Sequence, residues 1–257
     1  MRSSLINFGN ICFLNSVIQL IMSMDDLVID LYKNNIYTDF IEQYKTSLEM
    51  SPIKIYTSYC SLKTSYRGGS QEDANECLGF FFDLFKQQKI DSSFSIIMDQ
   101  HIIRLKEDIN SLERSEIKSV VENMLLVKFS SSLKESIIDS FKEDNEDYVK
   151  KYRITTFPKY LCISVNRFII NFDNGIFHSY KIDDYMNVPI IINFDEKKYS
   201  LNGFILHNGT INNGHYIYCG FVDNRWMIFN DRFIFPISIG EMLEKSSRAY
   251  IYLYVKI

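Results

Sequence analysis

The apolar residues of this chain change their spacing once, and that switch restricts the fold more than any other feature. In the first third they recur at helical spacing. Leu14, Val17, Ile18 and Ile21 share one face, as do Ala74, Leu78, Phe81 and Phe82, with Leu84 and Phe85 close by. The turn Gly68-Gly69-Ser70-Gln71-Glu72 precedes this second helix and places its cap at Ser70. In the last third, β-branched and aromatic runs are broken by Asn, Asp and Gly. These predict strands at 160–168, 188–194, 199–207, 216–221, 225–229 and 250–255. The middle is mixed: strands at 94–105 and 124–129, a helix at 131–141, a charged turn at 143–147, and a Lys/Glu-rich solvated loop over 142–151. Helices first and an antiparallel sheet afterwards predict an α+β architecture, with a helical lobe facing a β lobe across a cleft.

The 257 residues suffice for one large domain or two lobes sharing a cleft. A net charge of −4 without a basic stripe excludes nucleic acid as the main partner. Polar residues interrupt every long apolar run (Asn15, Ser16, Gln19 and Ser23 within 14–24), so no membrane span is expected. The start shows no leader, which implies a reducing compartment, cytoplasmic or nuclear. The five cysteines, at 12, 60, 77, 162 and 219, include no C-x-x-C pair. Neither a disulfide framework nor a structural zinc is expected, and no cofactor is implied.

Three stretches carry chemistry. Asn7-Phe8-Gly9-Asn10-Ile11-Cys12 leads a thiol into a helix N-terminus, whose dipole favours thiolate. The loop 208–214 ends at His215 at the mouth of a strand. A short turn at 222–224 then pairs that strand with 225–229 as a hairpin, which places Asn230 at a strand end where it can orient an imidazole, with Asp231 beside it. Singly, each has a plain structural reading: a buried thiol, a packing histidine, a turn. A Cys and a His far apart in sequence and facing each other across a cleft form the papain-like arrangement.

Together these stretches resemble the ubiquitin-specific protease family of deubiquitinases. Residues 7–16, continuing to Gln19, are similar to that family's cysteine box. Residues 70–78 resemble its Gln-x-Asp-Ala-x-Glu-Phe-Leu segment, and 201–231 its histidine box with Gly214-His215-Tyr216. Residues 161–168 resemble the strand ending in Arg-Phe, and 249–254 the closing strand. The resemblance covers essentially the whole chain. It implies a single catalytic domain over 1–257, with a helical thumb (about 1–90), a reduced fingers insert (about 91–155) and an antiparallel β palm (about 156–257). Cys12 would be the nucleophile, His215 the base, and Asn230 the third member, with Asp231 assisting or substituting. Asn7 would donate to the oxyanion. Asp73, Gln71 and Tyr216 would line the path of a Gly-Gly tail, with Asp73 holding its basic residues. The implied partner is ubiquitin or a ubiquitin-like modifier, and the implied reaction is thiol-dependent hydrolysis after its terminal glycine by a monomer. A protease for another ubiquitin-like modifier and a silent ubiquitin-binding module are the alternatives. Two departures stand out: the middle segment lacks the zinc-binding cysteine pairs of many members, and Ile11 and Cys77 replace the usual Thr and Phe.

Overall fold

The computed structural model describes residues 2–104, 115–145, 148–173, 175–210 and 213–257. Leu105 of the strand predicted at 94–105, residues 146–147 of the charged turn, and residues 211–212 of the loop before His215 lie outside the described residues.

The amino-terminal part is helical, as its spacing predicts. After a two-residue strand β1 (Ser4–Leu5) come α1 (Cys12–Ile21), α2 (Asp25–Lys33) and α3 (Thr38–Thr46). Then follow β2 (Glu49–Met50), parallel to β1, and α4 (Ile53–Leu62) and α5 (Ala74–Gln87). All ten residues of α1 are buried. A helix enclosed on every side belongs to a core, and α1 lies between α5 and the central sheet. Its start is fixed by backbone conformation. Gly9 at φ +129° occupies a region that a Cβ disfavours, and Asn10 at φ 53° is left-handed, turning the chain into the first helical residue, Cys12. α5 packs Cys77, Leu78, Phe81, Phe82 and Phe85 inward. Phe82 stacks on Phe94 with ring centroids 4.2 Å apart, tying the helix to the entry of the middle segment. The cap of α5 is Asp73, whose Oδ1 accepts from the Asn75 and Glu76 amides at 2.7 and 3.2 Å. This corrects the expectation of Ser70: the helix begins one turn later, where a carboxylate reaches two orphan amides.

The middle segment supplies β3 (Ile96–Arg104), β4 (Ser115–Glu122), β5 (Leu125–Lys128), α6 (Leu133–Ser140), β6 (Lys142–Asp144) and β7 (Tyr148–Thr156). Four of these strands form a separate antiparallel sheet, in the order β4-β3-β7-β6. The stretch 142–151, expected as a solvated loop, is therefore mostly strand. Lys142, Glu143 and Lys151 are exposed while Tyr152 and Ile154, further along β7, anchor one face to the interior. Composition marked the exposure correctly and hid the pairing.

The carboxy-terminal part builds the palm. Its elements are β8 (Tyr160–Asn166), β9 (Phe168–Asp173), β10 (Ile176–Lys181), β11 (Ile191–Phe194), β12 (Lys197–Gly209), β13 (Gly214–Val222), β14 (Arg225–Asn230), β15 (Phe233–Ile237), α7 (Ile239–Ser246) and β16 (Ile251–Lys256). The sheet order is β15-β14-β13-β12-β16-β8-β5, with β11 also on β12. Every pairing is antiparallel except β5 with β8. That parallel pair draws β5, expected in the insert, into the palm sheet. The long connection through α6 and the insert strands makes it possible. The sheet is buried on both faces with period-two alternation. Ile251 and Leu253 of β16 join the core beneath the helices, and Tyr252 and Tyr254 join the core on the opposite face. Among the described residues β9 and β10 pair only with each other, forming a hairpin outside the main sheet.

A buried arginine organises this end of the sheet. Arg167, 1% exposed, donates to the carbonyls of Ala249, Ile182, Asp184 and Ser247 at 2.8–3.2 Å, with Phe129 over its guanidinium. Four carbonyl dipoles satisfy the fork of donors without a carboxylate partner.

Candidate active site

Cys12 is the first residue of α1, which has no side-chain cap. The first intrahelical bond runs from the Asn15 amide to the Ile11 carbonyl at 2.9 Å, leaving the amides of the first turn without helical acceptors. A sulfur or an oxyanion placed there meets the positive end of the helix.

His215 comes from the opposite lobe, one residue into β13. Its Nε2 lies 2.6 Å from Asn230 Oδ1 and 3.8 Å from Asp231 Oδ2. With Nε2 held by Asn230, Nδ1 is the ring nitrogen left for the Cys12 sulfur. Interaction with Cys12 is the largest influence on this imidazole. With Asn230 and the charges of Cys12 and Asp231, it outweighs burial and raises the pKa from 6.5 to about 9. The chain thus joins a thiol, an imidazole and an amide from three elements, as the three stretches predict.

Asn230 and Asp231 divide the work. Asn230 ends β14 and faces the imidazole. Asp231, at φ 52°, turns the next side chain toward the helical lobe. Its carboxylate accepts from Asn7 Nδ2 at 2.9 Å and Asn15 Nδ2 at 2.7 Å, and its carbonyl accepts from the Leu5 amide at 3.0 Å. Asp231 therefore fastens the palm to both sides of the nucleophile. Asn7 is braced in turn: its Oδ1 accepts from the Gly9 amide at 3.0 Å and the Ile11 amide at 3.5 Å. One Nδ2 proton is committed to Asp231, and the second is the donor available to an oxyanion.

The residues expected to line the tail path also meet across the cleft. Gln71 Nε2 donates to the Gly214 carbonyl at 3.0 Å, and the Gly214 amide returns to Gln71 Oε1 at 3.4 Å. Asp73 Oδ2 accepts from Tyr216 at 3.3 Å, and both of its oxygens accept from Tyr250 at 3.1 Å. Burial pushes the Asp73 carboxyl above its ordinary value, while the two capping amides and Tyr250 act in the opposite sense. Asp73 is thus helix cap and cleft residue at once. Asn15 and Tyr250 received no role from the sequence, although both lie within its quoted motifs. Asn15 stands three residues past Cys12, and a helical wheel places it on the turn facing back toward the helix start. Cys77, Cys162 and Cys219 are core thiols, each pushed up by burial. Among the described residues no cluster of His, Cys, Asp or Glu could hold a metal, and no helix is long and apolar enough to cross a membrane.

The family model described as "Ubiquitin carboxyl-terminal hydrolase" matches residues 3–254. The chain belongs to the ubiquitin carboxyl-terminal hydrolase family. Within this hydrolase family, ubiquitin carboxyl-terminal hydrolase 8 of Saccharomyces cerevisiae is 24% identical over 98% of this chain and 70% of its own length. Ubiquitin carboxyl-terminal hydrolase 25 of Arabidopsis thaliana is 25% identical over 96% of this chain and 46% of its own. Among solved structures, the chain matches a SAGA DUB module of Ubp8, Sgf11, Sus1 and Sgf73 bound to monoubiquitin. The TM-score is 0.82 at 22% identity, covering 99% of this chain and 69% of that one. The same kind of module bound to ubiquitin aldehyde matches with a TM-score of 0.80 at 21% identity, over 99% and 69% of the two chains. These matches give the hydrolase the papain-like α+β fold expected from its sequence.

Proposed function

We propose that this hydrolase is a thiol-dependent deubiquitinase acting through Cys12, His215 and Asn230. The observation that carries the reading is the imidazole of His215, held by Asn230 at 2.6 Å and shifted upward chiefly by Cys12, whose thiol sits at an uncapped helix N-terminus.

The Cys12 thiolate attacks the carbonyl carbon of the modifier's terminal glycine. The carbonyl electrons move to oxygen, where the Cys12 amide and the second Asn7 Nδ2 proton receive them. The tetrahedral species collapses as His215 gives its proton to the leaving amine, freeing lysine or an amino terminus and leaving a thioester. His215 then takes a proton from water, which attacks the thioester. Cys12 leaves as thiolate and the modifier departs with a free carboxylate. Gln71, Asp73 and Tyr216 line the approach, and a tail ending in two glycines fits a passage too narrow for side chains.

The structural neighbours were solved with ubiquitin, which supports ubiquitin as the partner. We read 1–257 as one catalytic unit working as a monomer, with Cys12, His215, Asn230 and Asn7 all inside it. Five free cysteines and a thiol nucleophile fit a reducing compartment, cytoplasmic or nuclear. The test is adduct formation with an electrophilic-tail ubiquitin probe, beside probes of two ubiquitin-like modifiers and with Cys12→Ala as control. A Cys12-dependent adduct with ubiquitin is expected. An adduct only with another modifier would keep the chemistry and reassign the substrate, and no adduct from folded protein would overturn the enzyme reading.

A further inference from the structure

His215 sits on a part of the sheet that outruns its neighbours. β12 and β13 pair as far as Asn208 with His215 and Gly209 with Gly214. On the far side of β12, however, β16 reaches only to Ile251 opposite Ile205, where the Tyr250 amide bonds the Ile205 carbonyl at 2.8 Å. On the far side of β13, β14 pairs only from Val222 to Tyr218. The tip that carries the base is therefore a two-stranded ribbon, and isolated two-stranded ribbons are marginally stable in water.

Carbonyls two residues apart on a strand point to the same side. Those of His207 and Gly209 consequently face the edge that β16 has vacated. The Lys181 ammonium meets both, at 2.8 and 3.2 Å, and Asp183 Oδ1 lies 2.7 Å from the same nitrogen. The Lys181 side chain is 8% exposed, so this is a built contact and not a surface lysine in passing. Lys181 ends β10, and the β9–β10 hairpin pairs with no strand of the main sheet. The other wall of the ribbon is packed as tightly: a Cβ on Gly214 would fall 1.9 Å from His207 Nε2.

We propose that Lys181 is a positioning residue for His215: its ammonium replaces the missing strand along the outer edge of β12 and holds the catalytic ribbon in register with Cys12. The inference rests on the roles given above to Cys12 and His215. Lys181 acts through two main-chain carbonyls. It also joins the β9–β10 hairpin to the end of β12 at His207 and Gly209.

The readout is the rate at which iodoacetamide modifies Cys12 in the full chain, followed peptide by peptide by mass spectrometry, with protection of fully buried Cys162 as the measure of folding. No ubiquitin is present, so the result is separate from probe labelling of the unsubstituted protein, which tests the deubiquitinase reading. Lys181→Met is expected to slow Cys12 modification about tenfold or more with Cys162 still protected, since small misplacement of a catalytic group is costly. Lys181→Arg, which keeps charge and paired donors, is expected to stay within about threefold of the original rate. With a ubiquitin conjugate as substrate, Lys181→Met should lower kcat and leave KM nearly unchanged. A Cys12 rate in Lys181→Met within about twofold of the original overturns the proposal. If Lys181→Met exposes Cys162, Lys181→Gln is read against the same thresholds. Loss of Cys162 protection in every Lys181 variant would make the residue a fold determinant only and would also overturn it.

Discussion

At the scale of single residues, neighbouring Asn230 and Asp231 divide one task. Asn230 fixes the imidazole at 2.6 Å, while Asp231 ties Asn7 and Asn15 to the palm. Asn230→Ala should lower kcat by roughly 10–10²-fold with little change in stability, because only ring orientation is lost. Asp231→Ala should lower both activity and melting temperature, since the amides of buried Asn15 and half-buried Asn7 lose their acceptor. Steady-state kinetics and thermal melts on the two variants separate these roles, and equal effects in both would contradict the division. The charge on His215 also has a pH signature. Its folded pKa, about 9, lies above the ordinary 6.5, so its contribution to stability is complete below about pH 6.5 and fades as pH rises through about 9. The melting-temperature gap between the protein and His215→Gln should therefore narrow between about pH 6 and pH 9.5. A constant gap would mean that the pair carries no charge in the folded state.

At the scale of elements, Asp73 begins α5 and also holds Tyr216 and Tyr250 across the cleft. Substitution separates the two functions. Asn caps a helix about as well as Asp, so Asp73→Asn should keep stability while weakening binding of a basic tail. Asp73→Ala should lose about 1 kcal/mol of stability as well. Denaturant unfolding with KM for a ubiquitin substrate checks both, and a stability loss in Asp73→Asn equal to that in Asp73→Ala would refute the capping role. The element scale also shows what sequence patterns concealed. The pairing of β6 and β7 was hidden because an exposed strand carries the charges of a loop, and the β9–β10 hairpin over 168–181 received no reading from the sequence. By contrast, the hairpin through Asp223 and Asn224 was legible: both residues adopt positive φ, 49° and 61°, as a two-residue turn between strands requires.

At the scale of the whole molecule, Arg167 is where separate segments meet. It joins the end of β8 to the 182–184 segment and to the turn before β16, and so fixes Tyr250 and the root of the β9–β10 hairpin. Arg167→Met fills much of the volume and leaves the Ile182 and Asp184 carbonyls without their donor, while Ala249 keeps the Tyr252 hydroxyl and Ser247 the Met186 amide. The expected loss is about 2 kcal/mol or more, at roughly 1 kcal/mol or more for each orphaned group. Urea unfolding measures it, and a loss below about 1 kcal/mol would show that water or rearranged backbone replaces the guanidinium.

The sequence alone marked α1, α5 and most strands of the palm, because burial imposes a period on apolar residues, and it left α2, α3, α4 and α7 unassigned. Its motifs also named the thiol, the imidazole and the cleft residues, because that chemistry needs those groups at those positions. Tertiary structure decided the rest. That Asn230 and not Asp231 faces His215 depends on a left-handed backbone at Asp231, stabilised by Asn7 and Asn15 from the far end of the chain. That β12 outruns β16, leaving two carbonyls for Lys181, depends on where separate strands stop. Neither leaves a local trace: each is a contact between segments remote in sequence, and a one-dimensional pattern records only what neighbours along the chain must share.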